Sequence, residues 1–256
     1  MVSFLSTDRL DGRFNDANGC ERRKGLVALN AWRVMGRMSQ APRATFNGVE
    51  LADYDAVIER MVRMRSTIAE LTPQYDEEIG APDIGEYWGA LLYSPPMAAI
   101  TIAMGRFVRT AADGGNTFSH ADREFVDQVL AADWKTNVVQ GHHVPDAVSS
   151  GVRIEAIDAL LNGREEELTD DERLLAAYIR ATVNGTVDDV LFAAMRERLG
   201  PRGLIEYTGF ILWLQWIIRM MQVLGCHDPA DAEIRELVAG IKDGSIPVPD
   251  FRDRIA

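Results

Sequence analysis

Apolar residues recur at three- and four-residue steps along most of the chain, which is the spacing of one face of an α-helix. Between Asp53 and Leu71 the apolar positions are separated mainly by arginines, as in an amphipathic helix with one buried face. Strand signals are few, because no segment sustains an alternation of apolar and polar residues. The pattern therefore predicts an all-α protein of about eight to ten helices.

Residues with helix-capping chemistry mark where several of these helices begin and end. Thr169–Glu172 is a capping-box pattern before an apolar run, Pro201 begins the longest apolar helix, and Gly225 ends it. The most apolar stretch, Tyr207–Ile218, has only 12 residues without a formal charge. A bilayer span needs about 20. We interpret the stretch as a buried helix or a subunit interface, and we expect no membrane partner.

The first part of the chain differs from the rest in pattern. Residues 1–45 are less periodic and contain many Arg, Asn and Gly residues. We interpret them as an N-terminal helical arm that packs on the domain or on a neighbouring subunit. A partly mobile tail is an equally open alternative. Residues 46–256 are predicted to form a single helical domain.

Composition narrows the class of function. The chain has 27 Lys and Arg against 39 Asp and Glu, a net charge of -12, so nucleic acid is not an expected partner. The two cysteines, Cys20 and Cys226, lie too far apart in sequence for a C-x-x-C motif, which favours a reducing compartment. The first residues lack the basic and apolar regions of a signal peptide. We therefore expect a cytoplasmic protein.

Motifs for nucleotide, serine-hydrolase or metalloprotease chemistry do not occur in the sequence. It contains no phosphate-binding loop, no Gly-x-Ser-x-Gly and no His-Glu-x-x-His. His142 and His143 are adjacent, and on a helix they would point about 100° apart, which is poor geometry for sharing one metal ion. We therefore expect neither a metal nor a cofactor.

Candidate chemistry concentrates in residues 119–152. Two adjacent imidazoles, His142 and His143, lie near a helix break, and Glu124 and Asp127 precede them on a neighbouring predicted helix. An acid close to an imidazole raises the imidazole pKa and fixes its tautomer, as a general base requires. The residue types equally allow each histidine merely to satisfy a buried helix end.

Several short stretches of the chain match a known family in order and spacing over roughly residues 85–225. The chain resembles the carboxymuconolactone decarboxylase and AhpD-like (alkylhydroperoxidase D) superfamily. The resemblance implies an all-helical fold, and members of this family are usually homo-oligomers. The stretches that carry it are Tyr93–Met97, Ser119–Glu124, the His-x-x-x-Ala-x-x-x-Gly-Val run His143–Val152, Glu155–Ile157, Leu174–Ala181, Leu199–Gly200, Leu204–Glu206 and Arg219.

The resemblance also implies roles for individual residues. In the peroxidase branch a Glu, two Cys and a His form a proton relay, and the Glu and His correspond to Glu124 and His143. The two Cys would fall at Thr136 and Val139, so the thiolate that reduces peroxide is missing there. Many other members carry Tyr-Glu before the His, where this chain has Val138 and Val139.

The function predicted from these features is a lyase, decarboxylase or isomerase that needs no cofactor and acts on a small organic acid, lactone or aromatic-derived metabolite. His143 would be the general acid or base, oriented by Glu124, while His142 and Asn137 would bind a developing oxyanion. Arg106 or Arg109 would bind a substrate carboxylate. Further substrate contacts are expected from Trp88, Tyr93 and Trp134.

Two other classes of function stay open. A thiol-dependent peroxidase would need Cys226 or Cys20 to approach His143 in the fold. A non-catalytic ligand-binding or scaffold protein could have kept the helical fold, and a pocket filled by side chains would favour it. The sequence does not decide whether the helix that carries His143 continues through Pro145. A proline two residues after His143 either kinks the helix or begins a new one.

Overall fold

A computed structural model describes residues 36–65, 73–114, 117–248 and 250 of the chain. Most of the predicted arm, residues 1–35, lies outside the described residues, as do Cys20 and the side chain of Arg109. The arm and its packing therefore stay a prediction. Within the described part, Gly36 and Arg37 contact the body of the protein: Gly36 N donates to Glu86 Oε1 at 2.9 Å, and Arg37 N donates to Leu224 O at 2.8 Å.

The described residues form an all-α fold, which confirms the class predicted from periodicity. Its only strands in this part are a two-residue antiparallel pair, β1 Tyr75–Asp76 and β2 Ala81–Pro82. No described helix is both long and apolar enough to cross a membrane. The helices are α1 Gly48–Arg65, α2 Glu86–Leu91, α3 Pro95–Gly114, α4 His120–Trp134, α5 Asn137–Ser150, α6 Ile154–Asn162, α7 Asp170–Asn184, α8 Asp189–Leu224 and α9 Asp231–Lys242.

Helix ends follow the capping chemistry seen in the sequence. Ser119 begins α4 through a capping box with Asp122, and Thr169 begins α7 through one with Glu172. Gly225 ends α8 in the left-handed conformation, where a Cβ would be strained. Helix α8 is kinked at Gly200, whose φ of 68° is not helical, so its apolar half starts at Pro201 as predicted.

Two apolar clusters form the core. The larger one gathers buried side chains of α4 to α9, and the smaller one lies between α1, α2 and α3. Helix α4 is buried along most of its length, including charged residues such as Arg123 and Glu124. Helix α8 joins the clusters, since Phe210 belongs to the first and Trp216 packs on the second.

Exposed apolar side chains on α3 offer a place to test the predicted self-association. Met97, Ile100 and Phe107 share one face of α3 and are exposed, although such side chains are usually buried. We expect a dimer or larger species at micromolar concentration by light scattering, and Ile100→Glu should shift it toward monomer. A wild-type protein that runs only as a monomer would contradict this prediction.

Candidate functional site

A cavity of about 400 Å³ is lined by residues of both core clusters. Helices α1, α2, α3, α4, α5 and α8 and the segment after α8 all contribute to its wall. An apolar cavity of this size with a few polar groups is typical of a small-molecule site. Its apolar wall consists mainly of Met61, Met64, Trp88, Ile102, Val108, Val138, Val139, Phe210, Trp213, Leu214, Ile217 and Met221.

A carboxylate and an imidazole meet at the cavity wall, one from α4 and one from α5. His143 Nδ1 lies 2.9 Å from Glu124 Oε2. The Glu124 side chain is 0% exposed, whereas 29% of the His143 side chain is exposed and His143 lines the cavity. A carboxylate oxygen only accepts, so Nδ1 carries the proton and Nε2 is the second nitrogen of the ring available for chemistry.

The second oxygen of Glu124 is bound by another cation. Arg123 Nη2 donates a hydrogen bond to Glu124 Oε1 and approaches His120 Nε2 at 2.6 Å. The same Nε2 lies 3.3 Å from Glu124 Oε1, so the His120 ring contacts both members of this ion pair. The buried carboxylate of Glu124 therefore lies between the charges of Arg123 and His143, which compensates for its removal from water.

These contacts determine the protonation states of Glu124 and His143. Burial on its own would raise the pKa of Glu124, but Arg123 and His143 outweigh it and hold that pKa well below its ordinary value. Burial would lower the pKa of His143, but Asp127 and Glu124, with a smaller contribution from Asp146, raise it to about 9. The pair is therefore a carboxylate and an imidazolium at neutral pH. The sequence predicts that a nearby acid raises the imidazole pKa, but not how strongly burial opposes this effect.

Three side chains of the site have the geometry of a metal-binding group. One ligand atom each of Glu124, Asp127 and His143 lies within 4.8 Å of the other two. A cation bound to Glu124 would compete with Arg123 or His143 for the carboxylate oxygen that it uses. The charge of Glu124 is already compensated by these two groups, which makes a metal ion here less favourable.

His142 lines the same cavity as His143, although the two are neighbours on α5. Its Nδ1 lies 2.7 Å from Val138 O, and since a carbonyl only accepts, Nδ1 carries the proton. In the neutral ring Nε2 is then the basic nitrogen. Adjacent positions on the helix therefore do not keep the two rings out of one cavity. Helix α5 continues through Pro145 to Ser150, so no new helix begins at the proline.

Only two of the five predicted substrate-binding residues lie on the cavity wall. Trp88 and Arg106 line the cavity, but Asn137, Tyr93 and Trp134 do not. The Asn137 amide is bound to Pro229 O at 2.9 Å and to Asp231 Oδ1 at 2.7 Å, so it fastens α5 to the start of α9. Its predicted role at an oxyanion is therefore not supported.

Trp134 and Tyr93, the two predicted aromatic contacts outside the cavity wall, have other environments. Trp134, at the end of α4, packs against the Arg219 guanidinium, whose carbon lies 4.0 Å from the ring centroid. Tyr93 is largely exposed in the turn after α2. The interpretation of both as substrate contacts is therefore not supported. The sequence pattern also failed to single out Arg60 and Arg65, which α1 contributes to the cavity, because arginines between apolar residues are typical of a solvated helix face.

Comparisons of the chain with protein-family models, with curated proteins and with solved structures find no match. The resemblance to the AhpD-like superfamily therefore stays a prediction. The cavity and the side chains that line it are the features from which a function can be inferred.

The raised pKa of His143 predicts a pH dependence of stability. A group whose pKa is higher in the folded state contributes its full stabilisation below its ordinary pKa of 6.5 and loses it as the pH rises through about 9. The free energy of unfolding should therefore fall by up to about 3 kcal/mol over this window. Urea unfolding at pH 6 and pH 9.5 measures it. His143→Gln should remove most of the slope, and an unchanged slope in the variant would contradict the assignment.

Proposed function

We propose that this protein is an enzyme that moves a proton on a small organic acid, lactone or aromatic-derived metabolite, as a lyase, decarboxylase or isomerase that needs no cofactor. The observation that supports this most directly is the contact between the His143 imidazole and the buried Glu124 carboxylate at the wall of an apolar cavity. A positioned general acid or base contributes about 10²–10⁴ in rate. We also propose that the fold is that of the AhpD-like superfamily.

The protonation state gives His143 the role of a general acid at neutral pH. Its Nδ1 proton is bound to Glu124, so the Nε2 proton is the one that can be transferred. In a decarboxylation the bond to the carboxyl carbon breaks, its electron pair stays on the α-carbon, CO₂ leaves, and the Nε2 proton adds to that carbon. His143 then regains a proton from solvent. In an isomerisation His142 Nε2 would remove a proton from one carbon, the double bond would shift, and His143 Nε2 would add a proton at the far end of the allylic system. His142 would then lose its proton to solvent and His143 would regain one.

A thiol peroxidase is the weaker alternative. Cys226 lines the cavity with His143, but burial and the Glu86 carboxylate raise the pKa of its thiol to about 11. The nucleophile in peroxide reduction is the thiolate, which such a pKa suppresses at neutral pH. We expect Cys226→Ser to retain activity within a few-fold. A loss of dithiol-dependent peroxide consumption in that variant, with wild-type protein active, would support the peroxidase instead.

A non-catalytic scaffold is also disfavoured by the cavity itself. Its volume of about 400 Å³ is open rather than filled by side chains. Natural cores pack with few voids larger than a water molecule, so an open cavity with polar groups on its wall indicates a bound small molecule. A ligand-binding protein without turnover is then the alternative that experiment has to exclude.

Proton NMR in D₂O tests the proposal even though the substrate is unidentified. A panel of β-keto acids, unsaturated carboxylic acids, their lactones and hydroxybenzoates would be incubated with the protein. We expect deuterium incorporation at carbon, or loss of CO₂, for at least one chemical class, and none with His143→Gln. Binding of panel members without exchange or conversion would overturn the proposal and leave a binding protein.

A further inference from the structure

Among the described residues, two buried hydrogen-bond donors on the cavity wall have no acceptor. The Tyr87 hydroxyl and Trp213 Nε1 are buried atoms without a hydrogen-bond partner in this part of the chain, and only 7% of Tyr87 is exposed. The Arg65 guanidinium lies against Gly85, with Nη2 3.0 Å from the position of a Cβ on that glycine. All three side chains line the cavity.

Unpaired donors of this kind are uncommon in folded proteins. A buried donor without an acceptor loses its hydrogen bonds to water and gains nothing in return. Trp213 can only donate, Arg65 can only donate, and burial raises the pKa of Tyr87 so that it keeps its proton. Three donors around one cavity therefore match a ligand that presents acceptor atoms.

The charged side chains on the cavity wall indicate that the ligand is an anion. The chain as a whole carries -12, yet the cavity is lined by four arginines and only three acidic side chains. One of these acids, Glu86, already accepts from Gly36 N at 2.9 Å and from His227 N at 2.6 Å. Asp83 is the acidic neighbour that acts on Arg65, and burial lowers the pKa of this arginine despite it. A carboxylate bound to Arg65 would supply the missing compensation.

The His143 side of the cavity is a poor place to bind a carboxylate that only anchors the substrate. The positive charge of His143 is compensated by Glu124 at 2.9 Å and by Asp127 at 3.7 Å. Asp127 and Asp146 line the cavity and would repel an anion there. The two groups of polar residues therefore have different tasks, one for charge recognition and one for proton transfer.

We propose that the cavity binds a carboxylate ligand with a flat apolar body, and that Arg65, with Tyr87 and Trp213 as further donors, holds a carboxylate of this ligand that does not react. The apolar body would pack against Met61, Met64 and Trp88, which leaves the His143 side for the reacting atoms. This substrate class rests on the proposed acid–base function, but the binding itself can be tested without turnover.

Calorimetric titration with benzoate and benzamide measures the charge preference, because the two probes share shape and differ in charge. We expect saturable benzoate binding at least about tenfold tighter than benzamide binding, since one charge-assisted hydrogen bond contributes that much or more. Arg65→Gln should abolish the preference. Arg63→Gln is the matched control on α1, because Arg63 is exposed and pairs with Glu59. Equal binding of the two probes, or an equal loss in the control, would overturn the proposal.

Tyr87→Phe provides a second test that does not depend on the arginine. The change removes only the hydroxyl, so it relieves an unpaired buried donor and should raise the melting temperature while weakening benzoate binding. A lower melting temperature with unchanged benzoate binding would contradict the assignment. His143→Gln should keep the benzoate preference. If the protein prefers benzoate but catalyses no exchange, this inference is retained and the acid–base function is rejected. If it catalyses exchange but does not prefer benzoate, the acid–base function is retained and this inference is rejected.

Discussion

Replacing His143 by glutamine is expected to lower turnover about 100-fold or more, with the fold intact. The substitution removes the Nε2 proton that His143 would donate, while the amide can still bind the Glu124 carboxylate at the position of Nδ1. The measurement is kcat on any compound that the deuterium-exchange panel identifies, with circular dichroism to verify the helical content.

A histidine elsewhere on the cavity wall provides the matched control. His227 lines the cavity but belongs to the segment after α8, outside the group of side chains around Glu124. His227→Gln should change kcat less than about tenfold, because it removes no general acid. Equal losses in the two variants would show that any cavity imidazole serves, which the Glu124–His143 assignment does not allow.

His142 distinguishes the two reaction types. In a decarboxylation His143 supplies the proton, so His142→Gln should have a minor effect on kcat. In an isomerisation the His142 Nε2 base is needed as well, so both variants should lose activity. A silent His143→Gln beside an inactive His142→Gln would mean that the wrong imidazole has been assigned.

The sequence predicts the helical architecture well because the signals are local. Capping residues such as Ser119 and Thr169 act within one turn, and Gly225 ends α8 through its own backbone conformation. The proximity of Glu124 and His143 followed from a family resemblance rather than from local rules. In the structure His143 Nδ1 lies 2.9 Å from Glu124 Oε2, although 19 positions separate the two residues in sequence.

The chemistry of the site could be predicted only in part, since it depends on long-range contacts. The sequence named Glu124 as a partner of His143, but the pKa of the imidazole depends on a balance between burial and several acids. Asn137 looked suitable for an oxyanion, yet its amide is bound by the start of α9, about 90 positions away. From the sequence Arg65 resembles a solvated arginine, and only the structure shows that its guanidinium lies beside Gly85 at the start of α2.

Removal of the Glu124 carboxylate should be the most destabilising single change at the site. Glu124→Ala would leave Arg123 and His143 without their shared anion, and the Nε of Arg123 is already a buried donor without a partner among the described residues. Breaking a buried ion pair by deleting one member costs about 3–5 kcal/mol. We therefore expect a loss of this size in the free energy of unfolding, measured by urea denaturation at pH 7.

Two other glutamate variants separate charge from shape. Glu124→Gln keeps the side-chain volume, so it should cost less than the alanine variant, and it should lower the pKa of His143 because the negative charge is gone. Glu59→Ala removes an equivalent carboxylate from an exposed pair with Arg63 on α1, where both side chains are more than half exposed. Such surface pairs contribute about 0.5 kcal/mol or less, because water and salt screen them. If Glu124→Ala costs no more than Glu59→Ala, the buried pair does not stabilise the fold, and His143 is not held in its charged form by Glu124.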